Sequence, residues 1–226
     1  FEHPTKGAEA KKVFDDAQHL LQSIIKDEKL DAKAVYGFFK AQSHSEEVKL
    51  FDDQTSFYFP RQLMDKGSQP NFSLADYISP TGDDHIGLFA VTAGHGIENI
   101  IKEYQAKNDD YSEIMAKVLA DRLAEAAAEW LHKKVRTEYW GYSKDEDLDL
   151  NAMLYEKYCG IRPAPGYPAC PDHKEKDKIW KLLNVEEQIG ISLTESRAMF
   201  PAASVCGWYF SHPKARYFSV LKNEVL

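Results

Sequence analysis

Hydrophobic residues recur every three or four positions in several stretches of the chain, which is the spacing of helices that cover one face of a core. Residues 8–29 show it most plainly, and the same spacing predicts helices over about 97–104, 110–139, 147–158 and 174–189. Asp110 is the predicted N-cap of the longest helix, and Gly160 is predicted to end the fourth. A capping-box spacing predicts one further short helix after Ser73.

Shorter apolar runs predict strands, which bury alternate or continuous hydrophobic residues. These runs lie at 34–39, 48–51, 56–59, 85–92, 193–199, 203–210 and 217–221, and the first two are separated by a polar turn around 43–45. Strands near both ends with helices between them predict a single α+β domain whose terminal strands share one mainly antiparallel sheet. A division into two domains near 143–147 is the less favoured alternative.

Two ionisable residues interrupt the apolar side of the longest predicted helix. Positions seven apart lie on nearly the same side of a helix, and from residue 111 this series reads Tyr111, Val118, Glu125, His132 and Tyr139. One ionisable residue on such a stripe is usually a satisfied rim or core group. Two of them are equally compatible with packing and with a polar pocket beside the helix.

Composition excludes several classes of function. The 226 residues are 43% hydrophobic and 28% charged, as in ordinary globular proteins, and the formal net charge is −8. A negative chain is poorly suited to nucleic acid or anionic membranes, and no run approaches the roughly 18 apolar residues of a membrane span. The three cysteines form no C-x-x-C pair, which favours reduced thiols in a cytoplasmic protein.

One segment, residues 162–171, stands apart because it reads Arg-Pro-Ala-Pro-Gly-Tyr-Pro-Ala-Cys-Pro. Four prolines make it stiff and extended, while Gly166 can adopt a positive φ. A rigid loop with free carbonyls and a leading guanidinium suits a polar ligand that carries a carboxylate. The same loop could equally be a structural cover over the core.

Motifs for general-base, phosphate-binding or metal-dependent chemistry are missing. The sequence contains no G-x-S-x-G, H-E-x-x-H, P-loop or complete dinucleotide fingerprint, and Cys170 and His173 are only half of a metal site. What remains is an arginine for a carboxylate, acids for a cation, and aromatic rings that attract onium groups. These groups together suit an amino-acid-like cationic ligand.

The proline-rich loop and its context resemble the activation domain of cobalamin-dependent methionine synthase, which binds S-adenosylmethionine. The resemblance covers most of the chain and rests on these segments, which occur in the family's order: 109–111, 120–126, 139–142, 160–171, 193–196 and 207–213. It implies a C-shaped single α+β domain around a twisted antiparallel sheet with flanking helices.

The resemblance also implies a function. Residues 1–226 would be a S-adenosylmethionine-binding activation domain, either part of a larger multidomain enzyme or a split subunit. Such a domain presents the methyl group of S-adenosylmethionine to the cobalt of cobalamin, which another domain carries, after flavodoxin or a similar reductant has donated an electron. It belongs to a methyltransferase, although alone it would not complete the full methionine synthase reaction.

The resemblance assigns roles to ten residues. Arg162 would hold the ligand's carboxylate, Asp53 would lie near its amino acid portion, and Ala164 and Gly166 would contribute backbone contacts. The remaining expected residues line the cleft or face the corrinoid: Glu125, Glu156, Tyr167, His173, Tyr217 and Phe218. The Asp53 assignment depends on a register that the neighbouring Asp52 leaves open.

Two other functions compete with ligand presentation. The domain could be a docking module for a cobalamin-binding domain or for flavodoxin, with little ligand binding of its own. It could also be an independent metal-dependent hydrolase, which would require bound metal.

Overall fold

The computed structural model describes residues 1–220, which form a curled antiparallel sheet flanked by helices. The strands are β1 (Asp31–His44), β2 (Glu47–Leu50), β3 (Ser56–Tyr58), β4 (Asp84–His95), β5 (Ser192–Leu193), β6 (Met199–Phe200) and β7 (Ser204–Tyr209). The main sheet has the order β3-β2-β1-β4-β7, with every neighbouring pair antiparallel. Strands β5 and β6 form a separate small ribbon.

The helices are α1 (Gly7–Lys26), α2 (Ile97–Gln105), α3 (Asp110–Lys134), α4 (Leu150–Leu154), α5 (Glu175–Leu183) and α6 (Val185–Ile189). A 3-10 turn (Leu74–Tyr77) and a π-helical segment (Val135–Tyr139) complete the regular structure of the described residues. Within residues 1–220, no helix is both long and apolar enough to cross a membrane. The predicted α+β fold with a mainly antiparallel sheet is confirmed.

Three helix boundaries differ from the prediction, each for a local reason. Asp109 caps α3, because its carboxylate accepts the Ser112 N–H at 3.0 Å, so the prediction of Asp110 was wrong. The α-helix ends at Lys134 rather than Tyr139, where the π-helical segment takes over. The predicted helix 174–189 is divided at Asn184, which has a positive φ of 49°.

The predicted helix over 147–158 is also wrong, since α4 comprises only Leu150–Leu154. Glu156 ends it with a positive φ of 51°, and the N–H groups of Glu156 and Lys157 bond to the carbonyls of Met153 and Ala152 at 3.0 Å. This is the hydrogen-bond pattern of a Schellman motif, in which Glu156 is the first residue after the helix end. The prediction that Gly160 ends this helix is therefore wrong. Glu156 therefore leaves the helix instead of lying on its last turn.

Two predicted strands near the end of the chain are corrected. The run 193–199 is not one strand: Leu193 ends β5, Met199 begins β6, and residues 194–198 form the turn between them, where Arg197 has a positive φ of 63°. Residues 217–220 belong to no strand, and the Val220 N–H donates to the Pro168 carbonyl of the proline-rich loop at 2.7 Å. Leu221 lies outside the described residues.

Helix α3 packs on the sheet and on α2 through a column of alanines at four-residue spacing. Ala116, Ala120, Ala124 and Ala128 are all buried, whereas Tyr111 and Val118 are about half exposed. The seven-residue series is therefore not the buried stripe of this helix. The small side chains let the helix backbone approach the core closely, and this places Glu125 and the residues after it beside β7.

Strand β7 lies at one edge of the main sheet, and the proline-rich loop covers that edge. Ile161 and Phe210 exchange both backbone hydrogen bonds at 3.0 Å, and the Trp208 N–H donates to the Pro163 carbonyl at 3.0 Å. The two chains come so close that a Cβ on Gly207 would lie 2.2 Å from the Pro163 oxygen. The sheet thus fixes the start of the loop, and with it Arg162.

The alanine column gives the first prediction. Replacing Ala124 with leucine should reduce the free energy of unfolding by about 1–3 kcal/mol, because extra methyl groups have no room in a packed interface. Urea unfolding measures the change. The control is Ala126→Leu, an exposed position on the same helix, which should leave the midpoint nearly unchanged. Equal stability of the two variants would show that α3 does not pack through this column.

Candidate functional site

A cavity of about 420 Å³ opens between α3, the proline-rich loop and the segment 217–219. Its lining consists of Glu125, Glu156, Arg162, Pro163, Ala164, Tyr167, Pro168, Ala169, Val205, Tyr217, Phe218 and Ser219. Sequences far apart along the chain therefore meet in one place. Ligand pockets for small molecules are commonly about 300–1,000 Å³, so this cavity has the size of a binding site.

Arg162 is the one cation that the described residues bring to the lining, and two glutamates of α3 flank it. Its Nη2 donates to Glu129 Oε2 at 3.1 Å, and its Nη1 lies 3.8 Å from Glu125 Oε2. The Arg162 side chain is only 18% exposed. The guanidinium is thus held at the cavity wall, where its remaining donors can meet an anionic group.

Behind Arg162 lies a second, fully buried arginine. Arg136 donates from Nε and Nη2 to the two oxygens of Glu146 at 2.7 and 2.8 Å, and its guanidinium carbon lies 4.0 Å from the centre of the Tyr158 ring. Its Nη1 is 3.9 Å from Glu129 Oε1. Glu146, Arg136, Glu129 and Arg162 therefore form a continuous chain of alternating charges that runs from the core to the cavity.

The π-helical segment helps to place this buried arginine. Its extra residue per turn is seen in the bond from Trp140 N–H to the Val135 carbonyl at 3.0 Å, five residues apart. The Arg136 carbonyl then accepts the Ser143 N–H at 2.8 Å, which turns the chain back and brings Glu146 to the guanidinium. Such bulges in helices often lie next to functional sites.

His132 lies between these charges and the core. It is fully buried, stacks on Tyr209 with ring centres 5.1 Å apart, and has its Nε2 3.3 Å from the Tyr142 hydroxyl. Burial, together with the positive charges of Arg136 and Arg162, lowers the pKa of His132 well below its usual value of 6.5. His132 is therefore neutral near pH 7 and is a packing residue rather than part of the cavity lining.

The segment that carries Tyr217 closes the other side of the cavity. The Tyr217 hydroxyl accepts the backbone N–H of Arg162 at 3.1 Å, and the Ser219 carbonyl accepts from Gln62 Nε2 at 2.6 Å. Phe218 packs against Phe72 with ring centres 6.0 Å apart. Residues of the first third of the chain thus hold this wall in place.

Three of the sequence-predicted residues lie outside the lining. Gly166 has a φ of +90°, and a Cβ there would lie 2.0 Å from the His173 ring, so these two residues lie against each other in the loop. Asp53 lies in the turn between β2 and β3, where Thr55 donates to it and Lys181 Nζ is 3.4 Å away. The ligand contacts of Gly166, His173 and Asp53 therefore remain predictions.

Cys170, within the loop, serves packing. It is buried, its thiol donates to the Tyr58 carbonyl at 3.8 Å, and burial raises its pKa to about 12. A thiol with that pKa is not a nucleophile near neutral pH. Among the residues described, no group of three or more His, Cys, Asp or Glu side chains is arranged to hold a metal ion.

Sequence reasoning missed Glu129, Arg136 and Glu146. One signal was available, because Glu125 and Glu129 are one helical turn apart and so face the same side. Nothing in the sequence marked Arg136 as buried, because charged residues are almost never fully buried unless they are paired, and no partner was identified for it. Its partner Glu146 is ten residues away across an irregular turn.

The arrangement has binding capability without acid–base chemistry. Among the described residues, the lining offers a guanidinium, two carboxylates, three aromatic rings and no histidine, and the buried His132 behind it is neutral. Several buried polar atoms of this network have no hydrogen-bond partner in the described part of the chain, including Arg162 Nε and Glu129 Oε1. Buried polar groups normally find partners, so their clustering here indicates a site rather than a packed interior.

Two comparisons place the chain among known proteins. The family described as "Vitamin B12 dependent methionine synthase, activation domain" matches residues 1–224. A solved structure titled "Crystal Structure of the MetH Reactivation Domain bound to AdoHcy" is 44% identical in sequence and superposes with a TM-score of 0.92. The match covers 96% of this chain and 70% of that one.

The buried ion pair generates a stability prediction. Glu146→Ala should reduce the free energy of unfolding by about 3–5 kcal/mol, because it leaves the Arg136 guanidinium buried without its bidentate partner. Urea unfolding measures the loss. The control is Glu138→Ala, which removes the exposed partner of Lys134 and should barely move the midpoint. If Glu146→Ala were as stable as the control, Arg136 would not depend on Glu146.

The neutral state of His132 generates a pH prediction. Because its folded pKa lies below its unfolded one, the unfolded chain binds more protons, and His132 lowers stability as the pH falls below about 6.5. We expect His132→Phe, which keeps a stacking ring, to lose less stability than the wild type between pH 7.5 and pH 5. The difference should approach about 1.4 kcal/mol per pH unit at most.

Urea unfolding of both proteins at several pH values measures this difference. The other histidines are present in both proteins, so their contributions to the pH dependence cancel. Parallel curves for the wild type and the variant would contradict the prediction. A constant offset between the curves would report only the lost contact with Tyr142.

Proposed function

The chain belongs to the family of vitamin B12-dependent methionine synthase activation domains, and we propose that its cavity binds S-adenosylmethionine and presents the methyl group to the cobalt of cobalamin. The observation that carries the proposal is Arg162, held at the wall of a 420 Å³ cavity whose other walls supply acids and aromatic rings. The related reactivation domain was solved with S-adenosylhomocysteine bound.

The carboxylate of the ligand would pair with Arg162. A guanidinium can donate two parallel hydrogen bonds to a carboxylate, which fixes orientation as well as position. Glu129 occupies one donor of Nη2, so the side of the guanidinium near Nη1 is the one available to the ligand. Ala164 lies in the same lining, and its backbone would contact the polar edge of the ligand.

The positive groups of the ligand would face Glu125 and Glu156. Both carboxylates line the cavity, on the side of α3 and after the end of α4 respectively. Carboxylates attract an ammonium and a sulfonium, while the faces of Tyr167, Tyr217 and Phe218 suit an onium group or a flat base. The lining therefore offers a complement to each charged part of S-adenosylmethionine.

The chemistry asks little of the protein beyond orientation. Methyl transfer from a sulfonium is a displacement at carbon, and the corrinoid cobalt supplies the nucleophile that accepts the methyl group. The sulfur–carbon bond breaks, its electron pair stays on sulfur, and neutral S-adenosylhomocysteine leaves. The residues of this chain would hold the sulfonium in line with its acceptor and exclude water, for which the pre-formed loop is suited.

The partners follow from the same proposal. The domain would meet the cobalamin-binding domain of methionine synthase at the mouth of the cavity, and flavodoxin or a similar reductant would donate the electron, in the cytoplasm. The chain on its own would bind its ligand but not complete a methyltransferase cycle, because the cobalt belongs to another domain. The domains of the enzyme that bind zinc and folate would likewise be separate from this one.

Isothermal titration of this chain with S-adenosylmethionine and with S-adenosylhomocysteine tests the proposal. The wild type should show saturable binding, and Arg162→Ala should weaken it by more than about 2 kcal/mol, as expected when a charged partner is lost. Arg197→Ala is the matched control, because Arg197 pairs with Asp177 away from the cavity lining. It should bind as tightly as the wild type.

Failure of the wild type to bind either compound would contradict the proposal. Co-purification with a cobalamin-binding domain in that case would favour the docking module instead. Equal affinities of wild type and Arg162→Ala would show that the ligand is held by some other part of the cavity.

A further inference from the structure

Among the described acids, Glu129 lies closest to Arg162, yet it is not part of the cavity lining. Its Oε2 accepts from Arg162 Nη2 at 3.1 Å, and its side chain is 25% exposed. Glu125, which does line the cavity, is 3.8 Å from Nη1 and 44% exposed. The two glutamates therefore differ in what they can do: one faces a ligand and the other faces the arginine.

The other oxygen of Glu129 is turned towards the buried Arg136, 3.9 Å from its Nη1. Arg136 is itself held on two sides, since Glu146 binds it through two hydrogen bonds and the Tyr158 ring lies against it. Arg136 has no exposed side-chain surface, and Glu146 has 5%. Glu129 thus lies between two arginines: its inner oxygen is attracted to the buried Arg136 across 3.9 Å without a hydrogen bond, and its outer oxygen accepts from Arg162.

We infer that Glu129 is a positioning residue that sets which edge of the Arg162 guanidinium faces the ligand's carboxylate. The inference rests on the proposed function, because it concerns how the same site recognises a carboxylate. An arginine side chain has four rotatable bonds, so an unanchored guanidinium at a cavity wall would sample many orientations. Binding to an anchored one loses less entropy, which improves affinity.

Charge alone predicts the opposite effect. Glu129 is an anion close to the site, and removing it would make the surroundings of Arg162 more positive and more attractive to a carboxylate. If only the electrostatic potential at Arg162 mattered, neutralising Glu129 would tighten binding of the ligand's carboxylate. If orientation dominates, the same change weakens it. The sign of the effect therefore distinguishes the two roles.

The test compares two ligands in isothermal titration. S-adenosylhomocysteine carries the amino acid carboxylate, whereas 5′-methylthioadenosine has the same nucleoside and a thioether but lacks the amino acid portion. We expect Glu129→Gln to weaken S-adenosylhomocysteine about tenfold and to leave 5′-methylthioadenosine within about twofold, because only the former uses Arg162. The matched control is Glu113→Gln, the same substitution at the ion pair with Lys117 near the start of α3 and outside the cavity lining, and it should leave both affinities unchanged.

A second variant guards against a folding defect. Glu129→Asp keeps the negative charge but shortens the side chain by one methylene, which breaks the 3.1 Å contact with Arg162, so it should show the same selective loss. Its urea midpoint reports whether the fold is intact. Unchanged or tighter binding of S-adenosylhomocysteine by Glu129→Gln would overturn the inference. So would an equal loss for both ligands, which would mean that Glu129 supports the cavity as a whole.

The outcomes separate this inference from the proposed function. Wild-type protein that binds neither compound would refute the function and the inference together. Wild-type protein that binds S-adenosylhomocysteine, with a Glu129→Gln variant that binds it equally well, would refute the role of Glu129 alone.

Discussion

The hydrogen bonds between β7 and the proline-rich loop are the constraint on which the site depends. Prolines cannot pair through their own nitrogens, so the loop offers only carbonyls and the N–H groups of its other residues. The Pro163 carbonyl and both backbone groups of Ile161 use the free edge of β7. That edge would otherwise be open to pairing with another chain. Gly207 makes the close approach possible, since any side chain there would meet the Pro163 oxygen.

The second organising feature is the line of charges from Glu146 to Arg162. A buried ion pair contributes little net stability, because the loss of hydration offsets the attraction between the charges. The ion pairs have a positional role here, because each charged group lies next to one of opposite sign and the last of them, Arg162, lies at the cavity wall. Helix α3 supplies both Glu129 and the Glu125 of the lining, and its alanine column brings that helix close enough to do so.

Sequence patterns predicted the sheet strands and the long helices. An element that buries one face has regularly spaced hydrophobic residues, and this spacing can be read without knowing which elements pack against it. The capping box at Ser73 is a local hydrogen-bond pattern and is confirmed in the structure. The errors arose where local pattern and tertiary packing disagree. Leu150 and Leu154 have helical spacing but are about 70% exposed, and the turn between β5 and β6 depends on the positive φ of Arg197.

The site was predictable only in part, for a physical reason. The residues that line the cavity lie in a recognisable loop and its surroundings, and the sequence resemblance named Arg162, Glu125, Glu156, Tyr217 and Phe218. The charges behind them depend on which residues meet across an irregular turn, and no spacing rule encodes the meeting of Arg136 with Glu146. Burial of an arginine also contradicts the usual expectation that charged residues are solvated.

The wall formed by residues 216–219 has a consequence for how the protein matures. A chain is synthesised from its N-terminus, and most of the sheet and both long helices precede this segment by many residues. Tyr77, Gln62 and Phe72, which hold the segment, are therefore synthesised before it. The Arg162 N–H gains its Tyr217 partner only when the segment has docked on them. The cavity wall is accordingly completed after the sheet and helices that it closes have been synthesised.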